Sequence, residues 1–193
     1  MTVHPIEAES YRILQARVDL SRFGPLGQAV VSRVIHASAD LEYAATMVVD
    51  DASLAAGMAA LGAGAPVVAD VEMVRGGITG CSVECHLPAV APTHGTRSSE
   101  GMREAARRHP EGAVVVVGCA PTALAEVVRL HRDGLFRPAL VVGLPVGFVG
   151  AAESKEVLRA SGMAAVSNIG EKGGSAVAAA ALNALVRLAR THG

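Results

Sequence analysis

The chain has 193 residues, of which 51% are apolar and only 3% aromatic. A sequence of this length is expected to form one domain, residues 1–193, with a core built from alanine, valine and leucine rather than aromatic rings. The net charge is −1 and charges of one sign do not form blocks, which argues against nucleic-acid and membrane-surface partners.

Helical and strand patterns alternate along the N-terminal half. Apolar residues at helical spacing predict two helices, the second with Pro25 in its first turn. An alanine-rich helix follows and is stopped by Gly62 and Gly64. The predicted elements are, in order, helix 5–18, helix 26–37, a helical turn and the strand 47–49 within 41–50, helix 52–61, strand 66–69 and a candidate strand at 83–87.

The C-terminal half continues the alternation with short connections. Its predicted elements are helix 98–108, strand 113–117, helix 122–131, strand 139–142, helix 151–158, a short edge strand 164–166 and the closing helix 174–190. Alternating strands and helices indicate a parallel sheet with right-handed crossovers. We therefore expect a Rossmann-like three-layer α/β sandwich with a mostly parallel sheet of five or six strands.

The stretch 138–155 is the part around which the chain is organised. Residues 139–142 form an apolar run that is typical of a strand buried on both faces. The loop GLPVGFVG follows, and its glycines tolerate backbone conformations that a Cβ forbids. A helical pattern then begins with Glu153 in its first turn, where a negative charge complements the helix dipole. These features mark the carboxyl edge of an α/β sheet, where such folds bind ligands.

Three cysteines, Cys81, Cys85 and Cys119, are spread along the chain. Their odd number predicts reduced thiols rather than a disulfide framework, packed as small buried side chains. The run Cys81-x3-Cys85-His86 contains soft-metal ligands, but no second ligand pair follows at zinc-site spacing, so no bound metal is expected. The N-terminus shows no signal-peptide pattern, and we expect a cytoplasmic protein.

Several sequence blocks resemble, in the same order, the precorrin-8X methylmutase family of corrin biosynthesis. They are RVIHA at 33–37, ADVEMV at 69–74, GTR at 95–97, GCAPTAL at 118–124, GLPVGFVGAAESK at 143–155 and EKGGSAVAAAALNAL at 171–185. The last two are long and specific, whereas GTR alone would carry no weight. The resemblance covers nearly the whole chain. It implies an isomerase without a cofactor, and a homodimer with sites at or near the subunit interface.

The reaction implied by the resemblance is migration of one methyl group from C-11 to C-12 of precorrin-8X, which gives hydrogenobyrinic acid. His36 falls on the catalytic histidine of RVIHA, so the resemblance makes it the general acid and base. An imidazole suits this task because its ordinary pKa, about 6.5, lets it give and recover a proton. Without the resemblance, a lone histidine is more often structural. Asp40, its i+4 neighbour, would then orient the ring.

Precorrin-8X carries several carboxylates, so its site should contain positive charge and backbone donors. Arg33 and Arg97 offer planar guanidinium groups, and the start of the last helix offers free amides. Plainer interpretations are a surface ion pair at Arg33, a solvated Arg97, a helix-surface serine at Ser10, core packing of Met73, and capping of the last helix by Ser175 or the glycines. The residues expected to bind substrate are Ser10, Arg33, Asp70, Met73, Thr96, Arg97, Gly118, Pro121, Thr122, Gly147, Gly173, Gly174 and Ser175.

Three alternatives to a methylmutase of metal-free precorrin-8X stay open at the level of sequence. The substrate could be cobalt-precorrin-8, because the family serves both pathways. A non-catalytic tetrapyrrole carrier could use the same fold. A dinucleotide-dependent oxidoreductase is disfavoured because no GxGxxG follows a predicted strand. Glu153 and Lys155 could face the ligand, pair with each other or contact a second subunit.

Overall fold

The structure is a computed structural model that describes residues 4–192. Six strands and nine helices follow one another along these residues, and none of the helices is long and apolar enough to cross a membrane. The elements are α1 (Pro5–Arg17), α2 (Pro25–Ser38), α3 (Tyr43–Thr46), β1 (Met47–Val48), α4 (Asp51–Gly62), β2 (Val67–Ala69), α5 (Glu72–Gly77), β3 (Glu84–Cys85), α6 (Arg97–Arg108), β4 (Val114–Val117), α7 (Pro121–Arg132), β5 (Leu140–Gly143), α8 (Ala151–Ala160), β6 (Ala165–Asn168) and α9 (Ser175–His192).

Local sequence explains where several helices begin. Asp50 caps α4 by accepting the backbone N–H of Ser53 at 2.8 Å. Thr96 caps α6 in a capping box with Ser99, so that two of the free N–H groups at the helix start are satisfied. Pro121 occupies the first turn of α7, where its missing N–H costs nothing.

The six strands form one sheet in the order β1-β6-β5-β4-β2-β3. β1 runs antiparallel to β6, and every other neighbouring pair is parallel. The predicted α/β sandwich with a mostly parallel sheet is thus confirmed. The strand predicted at 164–166 is present as β6, but its predicted edge position is wrong, because the two-residue β1 pairs with its outer side.

The valine run of β4 divides its side chains between two hydrophobic cores. Val114 and Val116 belong to the core that includes residues of α2, α4 and α9, whereas Val115 and Val117 belong to the core under α6 and α7. Successive side chains of a strand point to opposite faces, so a continuous valine run serves both. Helices therefore cover the two faces of the sheet, and α1 packs on α2. The ends of the strands are lined by the connecting loops.

Two parts of the chain differ from the predictions. No sequence pattern predicts α5, because it has only six residues, buries only Val74 and ends in two glycines. The three cysteines are free thiols, as predicted. Cys81 and Cys85 are only partly buried and Cys119 is exposed, so the expectation of buried thiols is wrong, most clearly for Cys119.

Candidate active site

The loops that follow β2, β4, β5 and β6 meet at the carboxyl edge of the sheet. Gly118, just after β4, lies directly under the start of α9. A Cβ on Gly118 would be 2.8 Å from Val74 Cγ2 and from Ala178 Cβ, and 2.9 Å from Ser175 Cα. Such contacts are too close for any side chain, so glycine permits the approach. Gly118 and Ser175, both predicted site residues, are thereby brought together.

Asp70 holds the loop after β4 from the neighbouring strand. Its carboxylate accepts the backbone N–H groups of Gly118 at 3.1 Å, Cys119 at 2.9 Å and Ala120 at 2.8 Å. Burial raises the pKa of the Asp70 carboxyl above its ordinary value, while the three amides act in the opposite direction. The side chain is buried and its bonds are made inside the protein. The structure thus gives Asp70 a positioning role, whereas the sequence predicted a substrate contact.

The glycine-rich loop after β5 is fastened to the loop that precedes α9. Gly147 donates its N–H to Glu171 O at 3.1 Å, and Gly174 donates to Leu144 O at 2.9 Å. Gly147 has a φ of +148° and Gly174 one of +127°, a region that favours glycine. A Cβ on Gly173 would overlap the carbonyl oxygen of Leu144. The predicted site residues Gly147, Gly173 and Gly174 therefore form one backbone surface at the start of α9.

The N-termini of α6 and α7 lie side by side. Thr96 Oγ1 and Thr122 Oγ1 are 2.8 Å apart, and Pro121 stands next to Thr122 in the first turn of α7. Arg97 is exposed, and its Nε donates to Pro88 O at 2.8 Å. The two terminal amino groups of Arg97 make no hydrogen bond to any residue that the structure describes. They are free to bind a carboxylate.

His36 lies in the last turn of α2 and is held by α1. Ser10 Oγ is 2.8 Å from His36 Nδ1. The ring of Tyr11 stacks on the imidazole with centroids 5.0 Å apart and an interplanar angle of 18°. Two consecutive residues of α1 therefore fix the ring at its edge and on its face. Nε2 makes no hydrogen bond within residues 4–192, so it is the ring nitrogen that a ligand can reach.

Arg33 stands one turn before His36 and also contacts α1. Its Nη1 donates to Glu7 Oε1 at 2.9 Å and lies 3.4 Å from the hydroxyl of Tyr11. Arg187 of α9 donates to the same oxygen of Glu7 at 3.1 Å. Arg33 is therefore ion-paired, as in the plainer interpretation of its sequence position. In this arrangement it steadies Tyr11 and, through Tyr11, the ring of His36.

Asp40 does not bind His36, so the suggested orientation of the ring by its i+4 neighbour is wrong. Asp40 accepts a hydrogen bond of 2.6 Å from Lys172 Nζ, which lowers the pKa of the carboxyl. Lys172 also pairs with Glu42. These contacts tie the end of α2 to the loop before α9.

Lys155 is fully buried beneath the same loop. Its Nζ donates to Asn168 Oδ1 at 2.9 Å and to Lys172 O at 2.6 Å, and burial lowers the pKa of this amine to about 8. Glu153 is exposed and does not pair with it. None of the roles considered for Lys155 from the sequence describes this position. Lys155 supports the loop 169–174 from inside the protein.

Apolar side chains are exposed around this edge. Met73 on α5 is 75% exposed, which excludes the alternative that it packs in the core. Val146, Phe148 and Val149 are exposed in the loop after β5, Phe148 to 91%. A flat apolar ligand or another protein surface would bury such side chains favourably.

Sequence reasoning missed Tyr11, Asn168 and Lys172 as parts of this arrangement. Tyr11 had a usable signal, since it is an aromatic residue next to the predicted site residue Ser10 on a predicted helix. Lys172 lies within the family-like block 171–185, but nothing in that block indicates a contact with Asp40, and Asn168 had no signal. Lys172 meets Asp40 across 132 positions of sequence, a contact that depends on the whole fold.

Comparisons with known proteins agree with the resemblance in the sequence. A family profile described as precorrin-8X methylmutase matches residues 5–188. A relative from Priestia megaterium named cobalt-precorrin-8 methylmutase is 39% identical over 98% of this chain and 90% of its own length. A Pseudomonas aeruginosa relative named precorrin-8X methylmutase is 40% identical over 93% of each chain. A solved structure of precorrin-8X methylmutase from Thermus thermophilus has a TM-score of 0.89 and 37% identity, over 97% of both chains. The chain therefore belongs to the precorrin-8X methylmutase family and is an isomerase of cobalamin biosynthesis.

Proposed function

We propose that the protein moves a methyl group from C-11 to C-12 of precorrin-8X to form hydrogenobyrinic acid, with His36 as general acid and base. The observation that carries this proposal is the arrangement of His36, with Ser10 Oγ 2.8 Å from Nδ1 and Tyr11 stacked on the ring. Nε2 is then the nitrogen that gives a proton to the macrocycle and recovers it. Relatives named for this reaction support the choice of substrate.

The reaction requires a positioned proton and a shaped surface. A proton on the ring nitrogen beside the migrating methyl polarises the conjugated system, and the methyl then moves within the same molecule. No electron, group or water molecule enters or leaves, so the scheme needs no cofactor. His36 takes the proton back as the product forms. General acid–base assistance of this kind is typically worth about 10²–10⁴-fold in rate.

The carboxylates of the substrate are proposed to bind where the loops of the carboxyl edge meet. Gly173 and Ser175 present backbone N–H groups at the positive end of the α9 dipole, while the N–H of Gly174 donates to Leu144 O and fixes the turn between them. Arg97 adds a guanidinium with free terminal nitrogens, and Thr122 adds a hydroxyl at the start of α7. Together these groups supply positive potential and donors around one open edge, without a buried unpaired charge.

The proposal covers the metal-free and the cobalt-containing substrate as alternatives. Relatives of nearly equal identity carry the two names, 39% for a cobalt-precorrin-8 methylmutase and 40% for a precorrin-8X methylmutase. The chemistry assigned to His36 is the same for both, because the methyl migrates on the periphery of the macrocycle.

We further propose that this single-domain protein forms a homodimer through the apolar loop beside the site. Phe148 and Val149 are 91% and 88% exposed, and Val149 and Val157 line one groove between α7 and α8. A second copy would bury these side chains at the edge that binds substrate. Phe148→Ser should then give monomers in analytical ultracentrifugation, whereas a wild-type monomer would contradict the proposal.

The free thiols support a cytoplasmic location.

Incubation with each substrate form, followed by visible absorption, tests the proposed reaction because the shift changes the conjugation of the macrocycle. We expect conversion of at least one form. His36→Ala should bind hydrogenobyrinic acid nearly as tightly as the wild type but slow a single turnover by about 10²–10⁴-fold. A wild-type protein that binds both forms and converts neither would be a carrier. Wild-type turnover in His36→Ala would remove His36 from the mechanism.

A further inference from the structure

Two histidines and one glutamate converge at the outer edge of the sheet, on residues that the proposed reaction does not use. Glu84 belongs to β3, the edge strand, and His86 follows it. His109 caps the C-terminal end of α6. His109 Nε2 lies 3.1 Å from both carboxylate oxygens of Glu84, and His86 Nε2 lies 3.0 Å from Glu84 Oε2. One ligand atom from each residue lies within 4.8 Å of the other two.

No residue that the structure describes forms a hydrogen bond with His86 Nε2, although this nitrogen is buried. Its distance to Glu84 is short, but the ring plane and the carboxylate are not aligned for a bond. The His86 side chain as a whole is only 11% exposed. A buried ring nitrogen without a partner loses its hydration and gains nothing in return, and a bound cation is one partner that would satisfy it. This nitrogen lies close to the carboxylate that His109 also contacts.

We propose that Glu84, His86 and His109 form a binding site for one divalent zinc ion. Two imidazoles and a carboxylate are a common zinc ligand set, with water in the fourth position. With metal–ligand bonds of about 2.05 Å, the ligand atoms of a tetrahedral site lie about 3.3 Å apart. The separations of 3.0 and 3.1 Å between Glu84 and the histidines are close to this value, and the nitrogens of the two histidines lie within 4.8 Å of each other.

The electrostatic surroundings fit a cation. Arg108 is the nearest competing cation in sequence, and its Nε donates to Glu104 at 2.7 Å, which compensates its charge. Cys81 and Cys85 do not belong to the cluster, so the site differs from the Cys-x3-Cys-His run.

A zinc ion here would join the edge strand to the end of α6. The backbone near His86 already packs closely on that helix, since a Cβ on Gly101 would lie 3.2 Å from His86 O. β3 has only two residues and one neighbouring strand, so it gains most from an additional link. The ion is thus expected to stabilise the segment 80–96, and not to take part in methyl migration.

Zinc titration of chelator-treated protein without an affinity tag tests the site. We expect one equivalent to bind with a Kd of about 10 μM or tighter, and Tm to rise by about 5 °C at hundredfold excess over Kd. Glu84→Gln and His109→Asn should each weaken binding by at least about tenfold. The exposed loop residue His94 provides a matched control, and His94→Ala should bind zinc like the wild type.

Cobalt(II) gives an independent spectroscopic readout without tetrapyrrole present. A four-coordinate site with nitrogen and oxygen ligands should show visible d–d bands that Glu84→Gln abolishes. Absence of zinc binding, or equal binding by wild type and both ligand variants, would overturn the proposal. Loss of binding in Cys81→Ser or Cys85→Ser with none in Glu84→Gln would also overturn it, because it would place the ion on the thiols. Circular dichroism of each variant establishes that it is folded.

Discussion

Ser10→Ala removes the hydroxyl that lies 2.8 Å from His36 Nδ1. The substitution leaves the Tyr11 stack and the pair of Arg33 with Glu7 in place, and alanine favours the helix. We expect the variant to fold and to bind product like the wild type, but to convert substrate more slowly. Without the hydroxyl, the imidazole is held by its face alone and is free to turn its nitrogens away from the substrate.

The size of the effect follows from the hydrogen bond. A neutral bond contributes about 0.5–1.5 kcal/mol, and one to a charged group contributes about 1.5–3 kcal/mol. His36 changes between neutral and charged as the proton moves, so its transition state should lose about 1–2 kcal/mol, or about 5- to 30-fold in rate. That is far less than the loss expected for His36→Ala, which removes the acid altogether.

Single-turnover absorbance measures this step without interference from product release. Glu9→Ala is a matched control on the same helix, where Glu9 is exposed and pairs with Arg12. In a His36→Ala background, Ser10→Ala should cause no further loss, since the two residues act together. A wild-type rate in Ser10→Ala would refute the reasoning. Equal slowing with or without His36 would mean that Ser10 contacts the substrate directly.

Three further predictions concern the groups that hold the loops of the carboxyl edge. Asp70→Asn should lower the free energy of unfolding in urea by about 2–4 kcal/mol, because the amide nitrogen would face backbone donors. Lys155 has a pKa of about 8, below its ordinary 10.5. The unfolded chain then binds more protons between these values, so the unfolding free energy should rise with pH there, by about 1–3 kcal/mol relative to Lys155→Met. Gly173→Ala should separate the two loops and weaken binding of hydrogenobyrinic acid by about tenfold or more in a titration.

Controls for these three predictions are available in the same chain. Asp133→Asn changes an exposed carboxylate that pairs with Arg129 and Arg132 at the surface and should cost less than about 1 kcal/mol. Gly62→Ala places a Cβ where nothing lies within 4 Å. Unchanged stability of Asp70→Asn, a pH dependence shared by wild type and Lys155→Met, or identical product binding by Gly173→Ala and Gly62→Ala would each contradict the corresponding prediction.

The sequence predicts the central strands well because both of their faces are buried. The valine run at 113–117 and the apolar run at 139–142 appear as β4 and β5 with shifts of one residue. The order of the strands in the sheet is harder to predict from the sequence. β1 has two residues, and nothing in Met47–Val48 shows that it pairs antiparallel with β6. The error at the predicted edge strand follows from this missing partner.

The sequence indicated which residues to expect in the site, but not which side chains they contact. Ser10 and His36 were both expected in the site, yet the bond between them joins two helices across 26 positions. Their partners were assigned from helical spacing, which suggested Asp40 for His36. In the structure Asp40 instead forms an ion pair with Lys172 in the loop before α9, so it does not orient His36. The cluster of Glu84 with two histidines was equally hidden, since 25 positions separate Glu84 from His109.

The polar residues of the carboxyl edge divide into two groups. Asp70 and Lys155 are buried, and each binds backbone groups of a loop that carries site residues. Arg97 is exposed and the amides of Gly173 and Ser175 are partly exposed, so these groups have capacity for a ligand. A buried charge is costly unless its contacts are complete, so buried groups suit positioning better than exchange with a substrate. Methyl migration needs a well-oriented proton and a fixed macrocycle. Buried residues that never touch the substrate should therefore affect turnover through the loops they hold.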